Sequence, residues 1–158
     1  GLEDGFTASL KLPPPIYARR TGELIASQLG KIGIKVEIEN MEWAQWIDQV
    51  LRNRNYDLTV VSHVEPMDIN IYANPNYYFG YDNEEFQNVM ARINVSADQA
   101  QTSALYKQAQ RKIAEDAVNG YLYQQGKYGL WKRGVKGMWR NYPIRANDLR
   151  DVYMEDGE

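Results

Sequence analysis

Cysteine is absent from this sequence, and histidine occurs once. The lack of thiols excludes disulfide bonds, thiolate metal sites and a cysteine nucleophile, and it is compatible with an oxidising compartment. Basic and acidic residues are interspersed and the net charge is −3, so the chain offers no basic surface to a nucleic-acid backbone. No apolar run is long enough to span a membrane. We therefore expect neither a nucleic-acid partner nor a membrane span.

The motifs of nucleophilic and phosphate chemistry are missing as well. The glycines, including Gly30, Gly33 and those between Gly126 and Gly137, match neither the phosphate-loop nor the dinucleotide spacing. There is no Gly-x-Ser-x-Gly elbow, and the only candidate base, the single histidine, follows a serine that would face the other side of a strand. The sequence therefore favours binding without catalysis and without a cofactor.

The length suits one ordinary domain. The 158 residues are 44% hydrophobic and 25% charged, which allows a normal core and gives no indication of disorder. The segment Gly1 to Gly5 is acidic and lacks the apolar stretch of a signal peptide. We therefore expect a chain without a leader, which is either a small protein or a piece of a larger one.

Strand and helix patterns alternate through the first 62 residues. Period-two alternation predicts strands at Phe6–Leu12 and Ile34–Ile38, and the apolar run Leu58–Val61 is typical of a strand covered on both faces. Apolar stripes predict helices at about Tyr17–Ile32 and from Trp43 to about Asn53. Short connections between such elements require right-handed crossovers and parallel strands. The sequence therefore predicts an α/β fold with a largely parallel sheet.

The three predicted strands end at one edge of that sheet, where open α/β sheets bind their ligands. The densest polar cluster of the chain, Ser62 to Asp68, follows the third strand. Trp43 follows the second strand and is a candidate wall of the site, whereas Trp46 is predicted to pack in the core. We therefore predict a ligand site at this edge.

Within the cluster, His63, Glu65 and Asp68 carry the chemistry. The first two would share one face of a strand, and the third follows within a turn. A divalent metal would accept this set, although a sole histidine is more often a hydrogen-bonded or ligand-contacting group. The zinc deaminase motif is excluded because it also requires cysteines. A small α/β hydrolase or metal-dependent enzyme using these three residues remains the alternative to a binding module.

An aromatic loop follows the cluster. It has no clean period, and it contains Tyr72, Tyr77, Tyr78, Phe79 and Tyr81. So long an irregular stretch is more often a binding loop than a bare connection, although each ring could simply pin the loop to the body. We expect at least one of these rings, Tyr72, to line the site.

The remainder of the chain is predicted to contain two more helices and two short strands. Apolar stripes place the helices at Phe86–Ile93 and Leu105–Ala117, with capping signals at Asp82 and Ser96. Strands are predicted at Tyr121–Gln124 and Tyr128–Trp131. Beyond them the pattern thins to single aromatics, Trp139 and Tyr142, which would need a surface to pack on.

Several segments together resemble one known family. They are Ile25–Ile38, Tyr56–Val60, Tyr81–Phe86, Leu105–Gln110 and Val135–Trp139. These segments are similar to the extracellular solute-binding proteins of family 5, the dipeptide, oligopeptide and nickel binders of ABC importers. The resemblance covers nearly the whole chain but only about the last third of a typical member.

The resemblance implies a three-layer lobe of the periplasmic-binding-protein type (type II), with a C-terminal segment that crosses to a missing lobe. Residues 1–125 would form the ligand-binding lobe, and residues 126–158 the hinge return and crossing segment. A carboxylate after the third strand, Glu65 or Asp68, would pair with the amino group of a peptide or other small polar solute. The family also implies a membrane permease as partner and a periplasmic or extracellular location. The expected ligand-binding residues are Ser62, His63, Glu65, Asp68, Trp43 and Tyr72.

Overall fold

A three-stranded parallel sheet organises the first part of the molecule. The computed structural model describes residues 4–64, 68–126, 128–138 and 149–155. The strands are β1 (Phe6–Leu12), β2 (Ile34–Asn40) and β3 (Leu58–Thr59), in the order β2-β1-β3. Both neighbours pair with β1 in the parallel sense, as short strand-helix-strand connections require. The predicted α/β class and parallel sheet are confirmed.

The register places the three carboxyl ends at the same edge. Leu12, the last residue of β1, pairs with Asn40, the last of β2, and Lys11 pairs with Thr59 of β3. The chain leaves β3 in the same direction and reaches Ser62 just beyond that edge. The prediction that Ser62 follows the carboxyl edge of the sheet is confirmed; Glu65, Pro66 and Met67 of the polar cluster lie outside the described residues.

Helices cover both faces of the sheet. Helix α1 (Ile16–Gly30) packs on the face formed by Leu10, Leu12 and Val60, because every second residue of a strand points to the same side. On the other face lies α2 (Trp43–Trp46), which continues directly as a π-helical segment (Ile47–Arg52). The result is the predicted three-layer arrangement of helix, sheet and helix.

A helical unit completes the body. A 3-10 helix (Asp68–Ala73) leads to α3 (Glu84–Val95) and α4 (Gln99–Glu115), which bury a second core around Phe86. Both helices begin at caps other than those predicted. Asn83 accepts from the Phe86 amide at 3.0 Å, and Asp98 accepts from the Gln101 amide at 2.6 Å. These side chains stand at the N-cap of each helix, where a short oxygen can reach a free N–H.

The two predicted strands after α4 are not formed. No strand occurs at Tyr121–Gln124 or Tyr128–Trp131, although all of these residues belong to the described part of the chain. A strand requires a neighbouring backbone, and sequence pattern alone does not supply one. Among the described residues after α4, the short strands are β4 (Val135–Lys136) and β5 (Tyr153–Met154), an antiparallel pair. Trp139 and Tyr142 lie outside the described residues, and the proposed division at residue 125 stays a prediction.

Candidate functional site

A cavity of about 800 Å³ runs along β3 and continues past its carboxyl end. It is lined by four of the residues expected from the sequence: Ser62, His63, Asp68 and Tyr72. Of the other two, Glu65 lies outside the described residues, and Trp43 is not among those that line the cavity. The structure therefore brings most of the predicted set to one concave surface.

His63 stands between an acidic and an aromatic neighbour. Its Nδ1 lies 3.6 Å from the Asp68 carboxylate, and its Nε2 lies 3.1 Å from the Tyr78 hydroxyl. The imidazole is stacked on Tyr78, with 6.0 Å between ring centroids and planes within 7° of parallel. Contacts on both nitrogens and on one face fix the orientation of the ring. His63 is therefore a positioned polar wall of the cavity.

Asp68 opens the 3-10 helix and remains accessible to water. Its side chain is 33% exposed, and the helix holds it beside His63. A carboxylate keeps its charge when water or a partner reaches it, and it can exchange that water for a cationic ligand group. Asp68 is therefore an available acid at the end of the sheet.

The backbone at the end of β3 is fixed by α1. The Ser62 amide donates to the Tyr17 hydroxyl at 2.9 Å, while the serine residue itself is exposed. This bond holds the exit of the strand and leaves the Ser62 side chain available to solvent.

Tyr72 ties two distant segments together at the cavity wall. Its buried hydroxyl accepts from the Asn119 side chain at 2.7 Å and from the Tyr121 hydroxyl at 3.0 Å. The ring packs on Phe79 and Phe86. Tyr72 is thus both a wall of the cavity and the anchor of the segment that follows α4.

The two tryptophans of α2 have different roles. Trp46 is buried, as predicted, and its indole N–H donates to the Thr59 hydroxyl at 3.0 Å. Trp43 is 43% exposed and packs edge-on against Trp46, with 5.7 Å between centroids. Trp43 follows the carboxyl end of β2, so it lies at the carboxyl edge of the sheet, but it is not among the residues that line the cavity.

The charged residues that line the cavity are acidic. Asp57 and Asp68 line it, and the described lining residues include no lysine or arginine. The backbone amide and hydroxyl of Ser9 donate to Asp57 and hold the pKa of its carboxyl below the usual value. Burial raises the pKa of the Tyr78 hydroxyl well above its ordinary value, and burial with the Tyr72 bond does the same for Tyr121. The cavity therefore presents carboxylates and neutral hydroxyls.

Several lining residues were not predicted from the sequence. Tyr17, Tyr78, Asn119 and Tyr121 all contribute hydroxyl or amide groups. Tyr78 belongs to an aromatic loop that the sequence did single out, but Tyr17 and Asn119 carry no local signal. They reach the cavity only because α1 and the end of α4 are folded against the end of β3.

The described residues contain neither a cluster suited to a metal ion nor a helix suited to a membrane. Within those ranges no group of three or more histidine, cysteine, aspartate or glutamate side chains is placed to hold a metal ion. This finding does not cover the metal site suggested for His63, Glu65 and Asp68, because Glu65 lies outside the described residues. None of the described helices is long and apolar enough to cross a membrane.

No family model matches the sequence, but individual proteins do. The chain is 28% identical over 123 residues to the probable D,D-dipeptide-binding periplasmic protein DdpA of Escherichia coli, covering 70% of this chain and 23% of that protein. It is 27% identical over 139 residues to the oligopeptide-binding protein AppA of Bacillus subtilis, covering 82% and 24%. The chain therefore spans about a quarter of the length of these curated relatives.

Solved structures give the same result for the fold. AppA in complex with a nonapeptide superposes with a TM-score of 0.73 at 24% identity, over 94% of this chain and 32% of that one. A dipeptide-binding protein from Pseudoalteromonas sp. SM9913 in complex with Met-Leu gives 0.64 at 26% identity, over 75% and 26%. The resemblance of this chain to the family 5 solute-binding proteins is therefore confirmed in sequence and in fold, as a match to one part of such proteins.

Proposed function

We propose that this chain is the ligand-binding lobe of the substrate-binding component of an ABC importer. Its ligand is a small polar solute with an amino group, such as a peptide. One observation carries the proposal: Ser62, His63 and Asp68 lie beyond the carboxyl edge of a parallel sheet, in an acidic cavity whose described lining has no lysine or arginine. An ammonium group is the natural complement of such a surface.

Asp68 is the described residue best placed to receive that ammonium group. It is accessible, and His63 beside it leaves part of the carboxylate open to water. Glu65 is a second candidate from the sequence. Ser62 and His63 supply hydroxyl and imidazole groups for the peptide backbone, the Tyr72 residue supplies an aromatic wall of the cavity, and Trp43 supplies an apolar wall at the neighbouring strand end.

The relatives indicate where the ligand is captured and which part of a larger protein this chain represents. The two curated relatives are named as a periplasmic dipeptide-binding protein and an oligopeptide-binding protein. By analogy the ligand is captured in the periplasm or outside the cell, and a membrane permease receives it. Residues 1–125 form the ligand-binding lobe, and residues 126–158 form a segment that returns toward a second lobe. The many exposed apolar side chains of the described part of that segment, Leu130 and Tyr128 among them, support a surface of this kind.

Binding without catalysis is the simpler account of the chemistry. The relatives are binding proteins, and His63 contacts the Asp68 carboxylate and the buried Tyr78 hydroxyl, which hold its ring in place as a wall of the cavity. The alternative, a hydrolase or metal-dependent enzyme using His63, Glu65 and Asp68, predicts turnover that is lost in His63→Ala. We expect no hydrolysis of peptide or ester substrates by the wild-type chain.

Peptide affinity measured by NMR titration tests the proposal. Trialanine with a free amino group should bind the isotope-labelled chain weakly, with a Kd of about 1 mM, because only one wall of the site is present. N-acetyl-trialanine should bind more weakly by about fivefold, since its amino group is blocked and the accessible ion pair of ~1 kcal/mol is lost.

Variants locate the interaction. Asp68→Asn should lower the affinity for trialanine by up to about fivefold. This factor corresponds to the ~1 kcal/mol that an accessible ion pair contributes. Asp48→Asn is the matched control, because it removes the same charge from an exposed residue of the π-helical segment, and it should leave affinity unchanged. Equal affinity for the free and acetylated peptides would contradict the proposed recognition of an amino group.

A further inference from the structure

The segment that leaves α4 contains the only Asn-Gly pair of the sequence, Asn119-Gly120. Asparagine is one of the thermally labile residues of proteins. Its side-chain amide is lost when the backbone nitrogen of the following residue attacks the amide carbon. Glycine has no Cβ to block that approach, so an Asn-Gly pair offers the least hindrance to the reaction. The sequence alone therefore distinguishes Asn119 from the other asparagines.

The structure leaves the attacking nitrogen of Gly120 open. Gly120 is exposed, it belongs to no helix or strand, and a Cβ built on it would meet no heavy atom within 4 Å beyond its chain neighbours. Within the described residues its amide donates no recorded hydrogen bond. The amide after Asn40, by contrast, donates to the Leu12 carbonyl at 2.9 Å, and the amide after Asn94 belongs to α3. The nucleophile is therefore less hindered at Gly120 than at these two sites.

A hydrogen bond to Tyr72 opposes the reaction. The Asn119 Nδ2 donates to the Tyr72 hydroxyl at 2.7 Å, and the same hydroxyl accepts from the Tyr121 hydroxyl at 3.0 Å. Attack at the amide carbon expels that nitrogen, so the bond to Tyr72 must break for the reaction to proceed. Tyr72 is buried in the core with α3, and it therefore stays in place when the segment after α4 moves. The rate of the reaction then depends on how often this hydrogen bond opens.

We propose that Asn119-Gly120 is a site of spontaneous covalent modification, at which loss of ammonia adds a carboxylate to the wall of the cavity. The Gly120 nitrogen forms a bond to the Asn119 Cγ, and the Cγ–Nδ2 bond breaks. Nδ2 leaves as ammonia with the proton that the Gly120 nitrogen gives up, and a cyclic imide remains. Water then opens the imide at either of its carbonyl groups and gives aspartate or isoaspartate. Water is the only co-reactant, and nothing is oxidised or reduced.

The new carboxylate joins the acidic part of the cavity. Asn119 and Asp68 both line it, and Tyr72 and Tyr121 lie between them in a chain of contacts. Burial, the Tyr72 bond and the charges of Tyr72 and Asp68 raise the pKa of the Tyr121 hydroxyl, so the field of Asp68 reaches this group. A further negative charge there increases the attraction of the cavity for an ammonium group. This consequence rests on the proposed function, whereas the modification itself does not.

Incubation of the 158-residue chain in mildly alkaline buffer tests the modification. Peptide mapping by mass spectrometry follows the change from amide to acid at every asparagine, and it needs no ligand. We expect Asn119 to be modified first. Gly120→Ala should suppress the reaction, because its methyl group shields the backbone nitrogen. This variant keeps the fold, since Gly120 has no positive φ and the added Cβ enters open space.

The role of Tyr72 is tested with a control for stability. Tyr72→Phe removes the acceptor and should speed the modification of Asn119 by about three- to tenfold, the range that corresponds to one hydrogen bond. Gly22→Ala disturbs the packing of α1 on Leu12 and leaves the Tyr72 hydroxyl in place, so it should not speed the reaction. The proposal is overturned if another asparagine is modified first, if Gly120→Ala reacts as fast as wild type, or if Tyr72→Phe and Gly22→Ala have equal effects.

The Asn119→Asp variant tests the effect on the ligand, because it supplies the aspartate product directly. Its affinity for trialanine should exceed that of the wild-type chain by up to about fivefold, the contribution of an accessible ion pair. Its affinity for N-acetyl-trialanine should not rise, since that peptide has no ammonium group. An unchanged affinity for trialanine would refute the effect on the ligand. Equal affinity of the wild-type chain for the two peptides would instead contradict the amino-binding function, and the mass measurement would still decide whether Asn119 is modified.

Discussion

Removing the Tyr72 hydroxyl tests how the cavity wall is held. Tyr72→Phe deletes one oxygen that accepts two hydrogen bonds, from Asn119 and Tyr121, and leaves the ring in its core position. Each bond contributes about 0.5–1.5 kcal/mol net. Tyr121 is an exposed residue, so its hydroxyl can recover a water partner, and the phenylalanine no longer has a hydroxyl to desolvate. We therefore expect a net loss of about 1 kcal/mol in the free energy of unfolding.

That loss should have a global and a local signature. For a domain of this size 1 kcal/mol lowers Tm by about 2–4 °C, which calorimetry resolves. Locally, amide exchange at residues 119–121 should accelerate by up to about fivefold. Tyr106→Phe is the matched control: this tyrosine packs on the same core, but its hydroxyl has no hydrogen bond recorded within the described residues. If the two variants shift Tm equally, Tyr72 does not anchor the wall as described.

Two further predictions concern the sheet and its helix. Gly22→Ala should destabilise the chain by about 1–3 kcal/mol, because a Cβ there would collide with the Leu12 side chain. Gly30→Ala should stabilise it by about 0.5 kcal/mol, because a Cβ at that position would meet only open space. Urea unfolding of the two variants distinguishes these outcomes. Asp57 has a lowered folded-state pKa, so its contribution is present above its ordinary value of 3.8 and is lost as pH falls through the folded-state value. Asp57→Asn should therefore lower the free energy of unfolding at pH 7, and the difference from wild type should become smaller in acid. A difference that does not change with pH would show that the hydrogen bonds from Ser9 to the Asp57 carboxylate do not stabilise the fold.

The sheet could be predicted because its signals are local and agree with one another. Apolar and polar residues alternate strictly in Phe6–Leu12. The short connections between the strands require right-handed crossovers, so neighbouring strands must run parallel. Those facts predict from the sequence alone that Ser62, His63 and Asp68 lie at a common edge of the sheet. Gly33, with φ of 85°, ends the turn after α1, as expected of a residue that tolerates the left-handed region.

The features that the sequence did not predict correctly depend on distant parts of the molecule. Tyr121–Gln124 has the composition of a strand, but composition cannot show whether a neighbouring backbone is present. The caps at Asn83 and Asp98 differ from the predicted ones because backbone geometry at the helix start selects between adjacent polar residues. Tyr17 and Asn119 reach the cavity through tertiary packing alone. No pattern in a single sequence signals that.

The position of a bound peptide tests the central claim most directly. Nuclear Overhauser contacts should be recorded between the alanine methyl groups of trialanine and the isotope-labelled wild-type chain. The account predicts contacts to the rings of His63 and Tyr78 and shifts at the Ser62 amide, at the carboxyl edge of the sheet. Contacts confined to the opposite edge, near Phe6 and Ile34, would contradict it, as would a peptide that binds with no contact to the cavity.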